Sequence, residues 1–170
     1  NINENDVVLG ITASSTTPFV LGALEKAKSL KTLTGLLTCN DFIGASFIDH
    51  LITIIVGPEV IAGSTRMKAG SATKMVLNMI TTVSMVKLNK TYGNLMVDLK
   101  ASNEKLKDRA TKIIMHLTGL EYEDAIKLLK SADDEVKTAV LMKKMHIDKS
   151  QSRQILKNNQ GSLRDSLKGV

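Results

Sequence analysis

The sequence predicts an α/β protein, a parallel sheet followed by a small C-terminal three-helix bundle. Three observations predict it. Short β-branched or leucine-rich runs alternate with a helix-forming segment and a polar connection over residues 6–56, the order expected of a parallel sheet. Polar loops follow the first and third of these runs, at the strand ends where open parallel sheets hold ligands. After Gly119 the chain turns to three short amphipathic segments joined by linkers of a few residues.

The first run, "DVVLGIT" at 6–12, is apolar on both sides and reads as a central parallel strand. Pro18 then opens "PFVLGALEKAKSL", and proline suits a first helical turn. Phe19, Ala23, Ala27 and Leu30 recur there at helical spacing. "KTLTGLLTC" at 31–39 is a second strand and "NDFIGASFID" a loop with room for a short helix. "HLITIIV" at 50–56 is the third strand. Residues 71–88, "SATKMVLNMITTVSMVKL", are apolar on nearly every side, so that helix is expected inside the fold or at a subunit interface. The helix breaks at Gly93 and a new one starts near Asn103, with Leu106, Ala110, Ile113 and Leu117 on one face. "YEDAIKLLKSA", "DEVKTAVLMKKMH" and "DKSQSRQILKNNQ" form the bundle, closed by "SLRDSL". Asp and Ser at such starts fit helix N-caps.

Composition narrows the functional classes. The hydrophobic fraction is 43%, aromatics are 3% and Trp is absent, so the core is aliphatic, with methionine as gap-filler. The net charge is +6, with 8 Lys+Arg against 6 Asp+Glu in residues 1–97 and 15 against 11 in 98–170. The signs alternate along the helices, the pattern of a solvated face. Nucleic-acid binding would want clustered cations or stacking aromatics, and neither is visible. The single cysteine, Cys39, reads as a buried thiol, and three dispersed histidines lack metal-ligand spacing. No apolar stretch reaches membrane-span length and no signal peptide is visible. The expectation is a soluble cytoplasmic protein with no metal, no membrane contact and no nucleic-acid partner.

Two loops can carry chemistry. The first runs from Thr12 through Ser14, Ser15, Thr16 and Thr17 to Pro18. Hydroxyls beside the N–H groups of a helix N-terminus suit a phosphate; a Ser/Thr-capped turn is the equal alternative. The second is "GPEVIAGSTRMKAGSATK" at 57–74. Glu59 can accept hydrogen bonds from sugar hydroxyls, Gly63 allows a tight turn, and Ser64 and Thr65 precede Arg66 and Lys68 at a helix start. Arginine suits phosphate or carboxylate. In the competing reading Ser64 caps the helix and Arg66 pairs with a local acid.

"GPEVIAGSTRMKAGSATKMVLNMI", with "YGNLMVDL" downstream, resembles the signature of the bacterial N-acetylmuramic acid 6-phosphate etherases, shared with the animal glucokinase regulatory protein. The resemblance runs from about Asp6 to the C-terminus. It implies a doubly wound parallel sheet of sugar isomerase (SIS) type. Residues 1–97 would be the C-terminal part of a phosphosugar-binding domain, 98–118 a connecting helix and 119–170 a ubiquitin-associated (UBA)-like bundle. It implies a lyase that cleaves the D-lactyl ether to give N-acetylglucosamine 6-phosphate and D-lactate, without metal or cofactor, as a homodimer. Ser14, Thr17, Glu59, Ser64, Thr65, Arg66 and Lys68 would bind substrate. The family's catalytic glutamates lie upstream of this stretch, so the chain alone is expected to be inactive. The runner-up is a non-catalytic phosphosugar-binding regulatory protein. One departure stands out: the family's Ala-Ser-Gly-Arg-Thr-Pro is here Ala13-Ser14-Ser15-Thr16-Thr17-Pro18. A positive-φ turn at the glycine position would strain Ser15.

Overall fold

The computed structural model describes residues 2–168. They are α/β, and the chain divides into two compact units, residues 1–80 and 81–170. In the first, β1 (Val7–Thr12), β2 (Leu33–Thr38) and β3 (His50–Thr53) form a parallel sheet in the order β1-β2-β3. Gly10 stands opposite Leu36, and Leu36 opposite Leu51. β2, not β1, is therefore the central strand of this sheet. Its residues 34–38 are all buried, whereas β1 leaves Val7 and Ile11 exposed. The apolar run at 6–12 marks a strand, but its place in the order is set by pairing, which the run does not encode.

α1 (Pro18–Ser29) starts at the proline as expected. Its buried residues are Leu24 and Ala27, while Phe19 is 84% exposed and Leu30 is also exposed. The face differs from the spacing-based one because of Gly10. A Cβ there would lie 2.7 Å from Val20 Cγ1 and 2.8 Å from Leu24 Cδ1, so the missing side chain lets Val20 and Leu24 settle on the strand. Side chains alternate across a sheet, which puts Leu36 on the Gly10 side and Cys39 on the other. Cys39 is buried and meets Ala69 O and Thr73 Oγ1 of α2 (Lys68–Lys87) at 3.8 and 3.7 Å. At the amino end of the sheet Asp49 accepts from Thr34 N and Thr34 Oγ1, both at 3.0 Å, and pairs with Lys28. These contacts, the Lys28 hydrogen bond foremost, hold its carboxyl down at about 2.

α2 buries one described residue, Ala69. Met75, Met79, Val83, Met85 and Val86 are exposed, as is Leu88 just after the helix, so among the described residues much of the all-round apolar pattern stays at the surface.

In the second unit β4 (Thr91–Tyr92) and β5 (Leu95–Met96) make an antiparallel hairpin around Gly93, whose φ is 57°. α3 (Glu104–Thr118) is capped by Asn103, which accepts from Leu106 N at 2.9 Å, and ends at left-handed Gly119. α4 (Tyr122–Ser131), α5 (Val136–Met145), α6 (Lys149–Asn158) and α7 (Leu163–Ser166) follow. α6 opens with a full capping box between Asp148 and Gln151. One core gathers Val97 and Leu99, Ile114 of α3, Leu129 of α4, Val140 of α5 and Leu163 of α7. Outside it, Arg153 donates to both Asp133 and Glu135 at 2.8 Å, tying α6 to the turn before α5. Among the described residues no helix is long and apolar enough to cross a membrane.

Candidate functional site

The carboxyl ends of β1 and β2 and the start of α2 meet at one edge of the sheet, through Cys39 and Asn40. There the β1–α1 loop folds tightly. Thr12 Oγ1 and Thr17 Oγ1 are 2.6 Å apart, and Ser14 Oγ lies 3.4 Å from the first and 3.5 Å from the second. Thr17 occupies the N-cap position of α1 without a side-chain cap bond, so its hydroxyl is turned toward the cluster instead. Ser15 has φ 62° and is buried. The strain expected of a positive-φ turn at Ser15 is present. The Ser15 hydroxyl answers it with contacts to Ser14 O at 2.5 Å and Asp41 O at 3.1 Å. Asn40 Nδ2 donates to Ala13 O at 2.8 Å.

In the second loop Glu59 receives the N–H groups of Lys68 at 3.0 Å and Ala69 at 3.0 Å, one on each carboxylate oxygen. It is thus the acceptor for the first turn of α2, reached from nine residues upstream. These two backbone hydrogen bonds, that from Lys68 first, hold its carboxyl below the usual glutamate range. A charged, acceptor-only group at a helix N-terminus is well placed electrostatically, and a lowered pKa makes it a weak base that stays ionised and so holds no proton to donate near neutral pH. Lys68 Nζ donates to Pro58 O at 2.7 Å, and Arg66 Nε donates to Ser64 Oγ at 3.0 Å. Ala62, Gly63, Ser64, Thr65 and Arg66 line a shallow depression of about 480 Å³. Gly63 has φ 78°, the conformation that lets this turn close.

Of the seven residues singled out in the sequence, Ser14 and Thr17 join one hydroxyl cluster. Ser64 and Arg66 are bonded to each other, with Thr65 between them, and Glu59 and Lys68 are joined through the helix start. Among the described residues, no side-chain hydrogen bond runs directly from the first loop's group to the second's. Sequence reasoning named Thr12 as the start of the first loop but missed Asn40 and Asp41. The rule that ligands sit at strand carboxyl ends, applied to β2 as well, would have pointed to Asn40. Among the described residues no group of three or more His, Cys, Asp or Glu side chains could hold a metal ion.

Residues 93–155 match the family model of the C-terminal lid domain of glucokinase regulatory protein. The N-acetylmuramic acid 6-phosphate etherase 1 of Bacillus licheniformis is 48% identical over 168 residues, 98% of this chain and 55% of the relative. By sequence, this chain is similar over nearly its whole length to N-acetylmuramic acid 6-phosphate etherases. The etherase of Clostridium botulinum strain Okra is 47% identical over 171 residues, 100% of this chain and 57% of the relative. That of Clostridioides difficile strain 630 is 49% identical over 170 residues, 99% and 56%. The chain spans a little over half the length of these etherases.

Proposed function

We propose that the chain is the C-terminal portion of an N-acetylmuramic acid 6-phosphate etherase, a lyase that releases D-lactate from its phosphosugar. The observation that carries this is identity of 47–49% to etherases across nearly the whole chain. The edge geometry supports it. Ser14, Thr17, Ser64, Thr65, Arg66 and Lys68 offer hydroxyls and cations to a phosphosugar, and Glu59 fixes the second loop while keeping lone pairs for a sugar hydroxyl. Residues 1–97 are read as part of a doubly wound SIS-type domain. α1 on the Gly10 side of the sheet and the start of α2 on the Cys39 side are its local support. Residues 119–170 are read as a UBA-like appendage, with 98–118 as the connecting helix.

The reaction implied is elimination of lactate from the open-chain sugar, then addition of water, driven by general acid and base carboxylates. Glu59 does not suit either role, because both its oxygens hold α2 and its pKa is lowered. The 170-residue chain is therefore expected to release no D-lactate, whereas the full-length protein carrying it does so. Failure of the full-length protein would favour the second reading, a non-catalytic phosphosugar-binding regulator, which the match at 93–155 to a regulatory protein's lid supports.

Within the full-length protein, Arg66→Ala is expected to lower D-lactate release by about tenfold, the loss of one charge-assisted hydrogen bond. Its melting temperature should hardly move, since Arg66 is exposed and its recorded side-chain bond is to Ser64. Unchanged turnover would make Arg66 a loop residue only.

We also read the protein as a cytoplasmic homodimer joined through α2, whose exposed methionines and valines form an apolar surface of the kind that marks interfaces. Sedimentation should show a dimer at micromolar concentration, and Met79→Lys should shift it to monomer. A wild-type monomer would refute this.

A further inference from the structure

The β1–α1 loop is held from outside itself. Asn40 Nδ2 reaches Ala13 O at 2.8 Å and Ser15 Oγ reaches Asp41 O at 3.1 Å. These two bonds cross between the segments that follow β1 and β2, and they run in opposite directions. Between them sits Ser15 in the left-handed region, a conformation that a non-glycine residue keeps only where its surroundings over-determine it. The turn it makes brings Ser14 back toward Thr12 and Thr17. Within that cluster a single contact is short, Thr12 to Thr17 at 2.6 Å; Ser14 is 3.4–3.5 Å from both and from Thr16. Contacts that long are weak hydrogen bonds, so the Ser14 hydroxyl, which is exposed, retains donor and acceptor capacity for a ligand.

We propose that Asn40 is a positioning residue for this site: its carboxamide, with the Ser15 hydroxyl, holds the loop in the conformation that presents Ser14 and Thr17 to the oxygens of a phosphosugar. The inference rests on the phosphosugar reading given above. It differs from a purely structural role in one respect. Asn40 is exposed, and exposed substitutions move global stability little, so its loss acts on the loop and the ligand and not on the fold.

Asn40→Asp makes the sharp test, because it keeps the shape and removes the N–H donor that Ala13 O accepts. Two readouts on the full-length protein that carries this chain separate the possibilities. The first needs no ligand: amide exchange at residues 13–17 should accelerate about fivefold or more in Asn40→Asp and Asn40→Ala, the worth of one net hydrogen bond. Core amides of β2 should stay unchanged. The second is titration with N-acetylglucosamine 6-phosphate, whose affinity should fall about fivefold in both variants, with inorganic phosphate as the control for a bare anion. Unchanged exchange overturns the positioning role whatever the ligand does. Faster exchange with undiminished sugar-phosphate affinity also overturns it, because the loop conformation would then not matter for binding. Faster exchange in a chain whose wild type does not bind the sugar phosphate supports the hold of Asn40 on the loop and removes the phosphosugar reading instead.

Discussion

Asp98→Ala is expected to destabilise the helical unit by about 1–2 kcal/mol, more than its place on the surface suggests. The reason is Lys137. Its side chain is 9% exposed, and its ammonium donates to Gly161 O at 2.9 Å and meets Asp98 Oδ1 at 3.1 Å. Asp98 also pairs with Lys90 at the foot of the β4–β5 hairpin. Without the carboxylate a nearly buried cation keeps a single neutral acceptor. Breaking a fully buried pair costs about 3–5 kcal/mol. The Asp98 side chain is 30% exposed, so solvent screening reduces that figure. Burial pushes the Asp98 carboxyl up, but the hydrogen bonds from Lys90 and Lys137 outweigh it and the net shift is downward. A lowered carboxyl stabilises the fold above its unfolded pKa of about 3.9, and that contribution fades as pH falls through the lower folded value. Urea unfolding of wild type and variant should therefore differ at pH 7 and converge in strong acid. A difference at pH 7 below about 0.5 kcal/mol, the range of ordinary surface changes, would show that water already satisfies Lys137.

The hairpin that carries this clasp was not legible in the sequence. Its strands are two residues each, too short for any periodicity to register, and only Gly93 signalled a break. The four main helices after residue 103 were legible from amphipathic spacing, and at two of them the caps agree: Asn103 and Asp148 both accept the bonds their types suggest, whereas α4 and α5 start at Glu121 and Glu135 without a side-chain cap bond. α1 was legible as a helix but not as an oriented one. Phe19 and Ala23 share a stripe with Ala27, while the buried stripe runs through Leu24 and Ala27. The difference was decided by Gly10 on another element. At the candidate site both loops could be found because each follows a strand and opens a helix. The role of Glu59 could not, since a carboxylate that caps from nine residues away lies outside the three-residue spacing of a capping box. Asn40 followed a strand that opened no helix, so nothing in its own neighbourhood drew attention to it.

Leu36→Ala should have a large effect on the sheet unit, about 2–5 kcal/mol. Leu36 is fully buried at the middle of the central strand, opposite Gly10 on one side and Leu51 on the other. Because register partners point to the same face, its side chain shares the Gly10 face, where Val20 and Leu24 of α1 come close enough to leave no room for a Cβ. The glycine and the leucine thus complement each other: one strand gives up its side chain and its neighbour fills the space beneath the helix. Truncating Leu36 leaves a void that α1 cannot close, since Gly10 has no atoms to contribute and the parallel pairing on both sides holds the backbone of β2 in place. Leu36→Met, which roughly conserves volume, should cost less than about 1.5 kcal/mol. A domain of under 100 residues loses about 4–8 °C per kcal/mol, so the alanine variant should melt at least about 8 °C lower, followed through β2 amides. The same strand leads into Cys39, Asn40 and Asp41, so the alanine variant should also loosen the β1–α1 loop. Equal melting of the alanine and methionine variants would mean that the face between β2 and α1 is not packed as described, and would remove the support it gives to the candidate site.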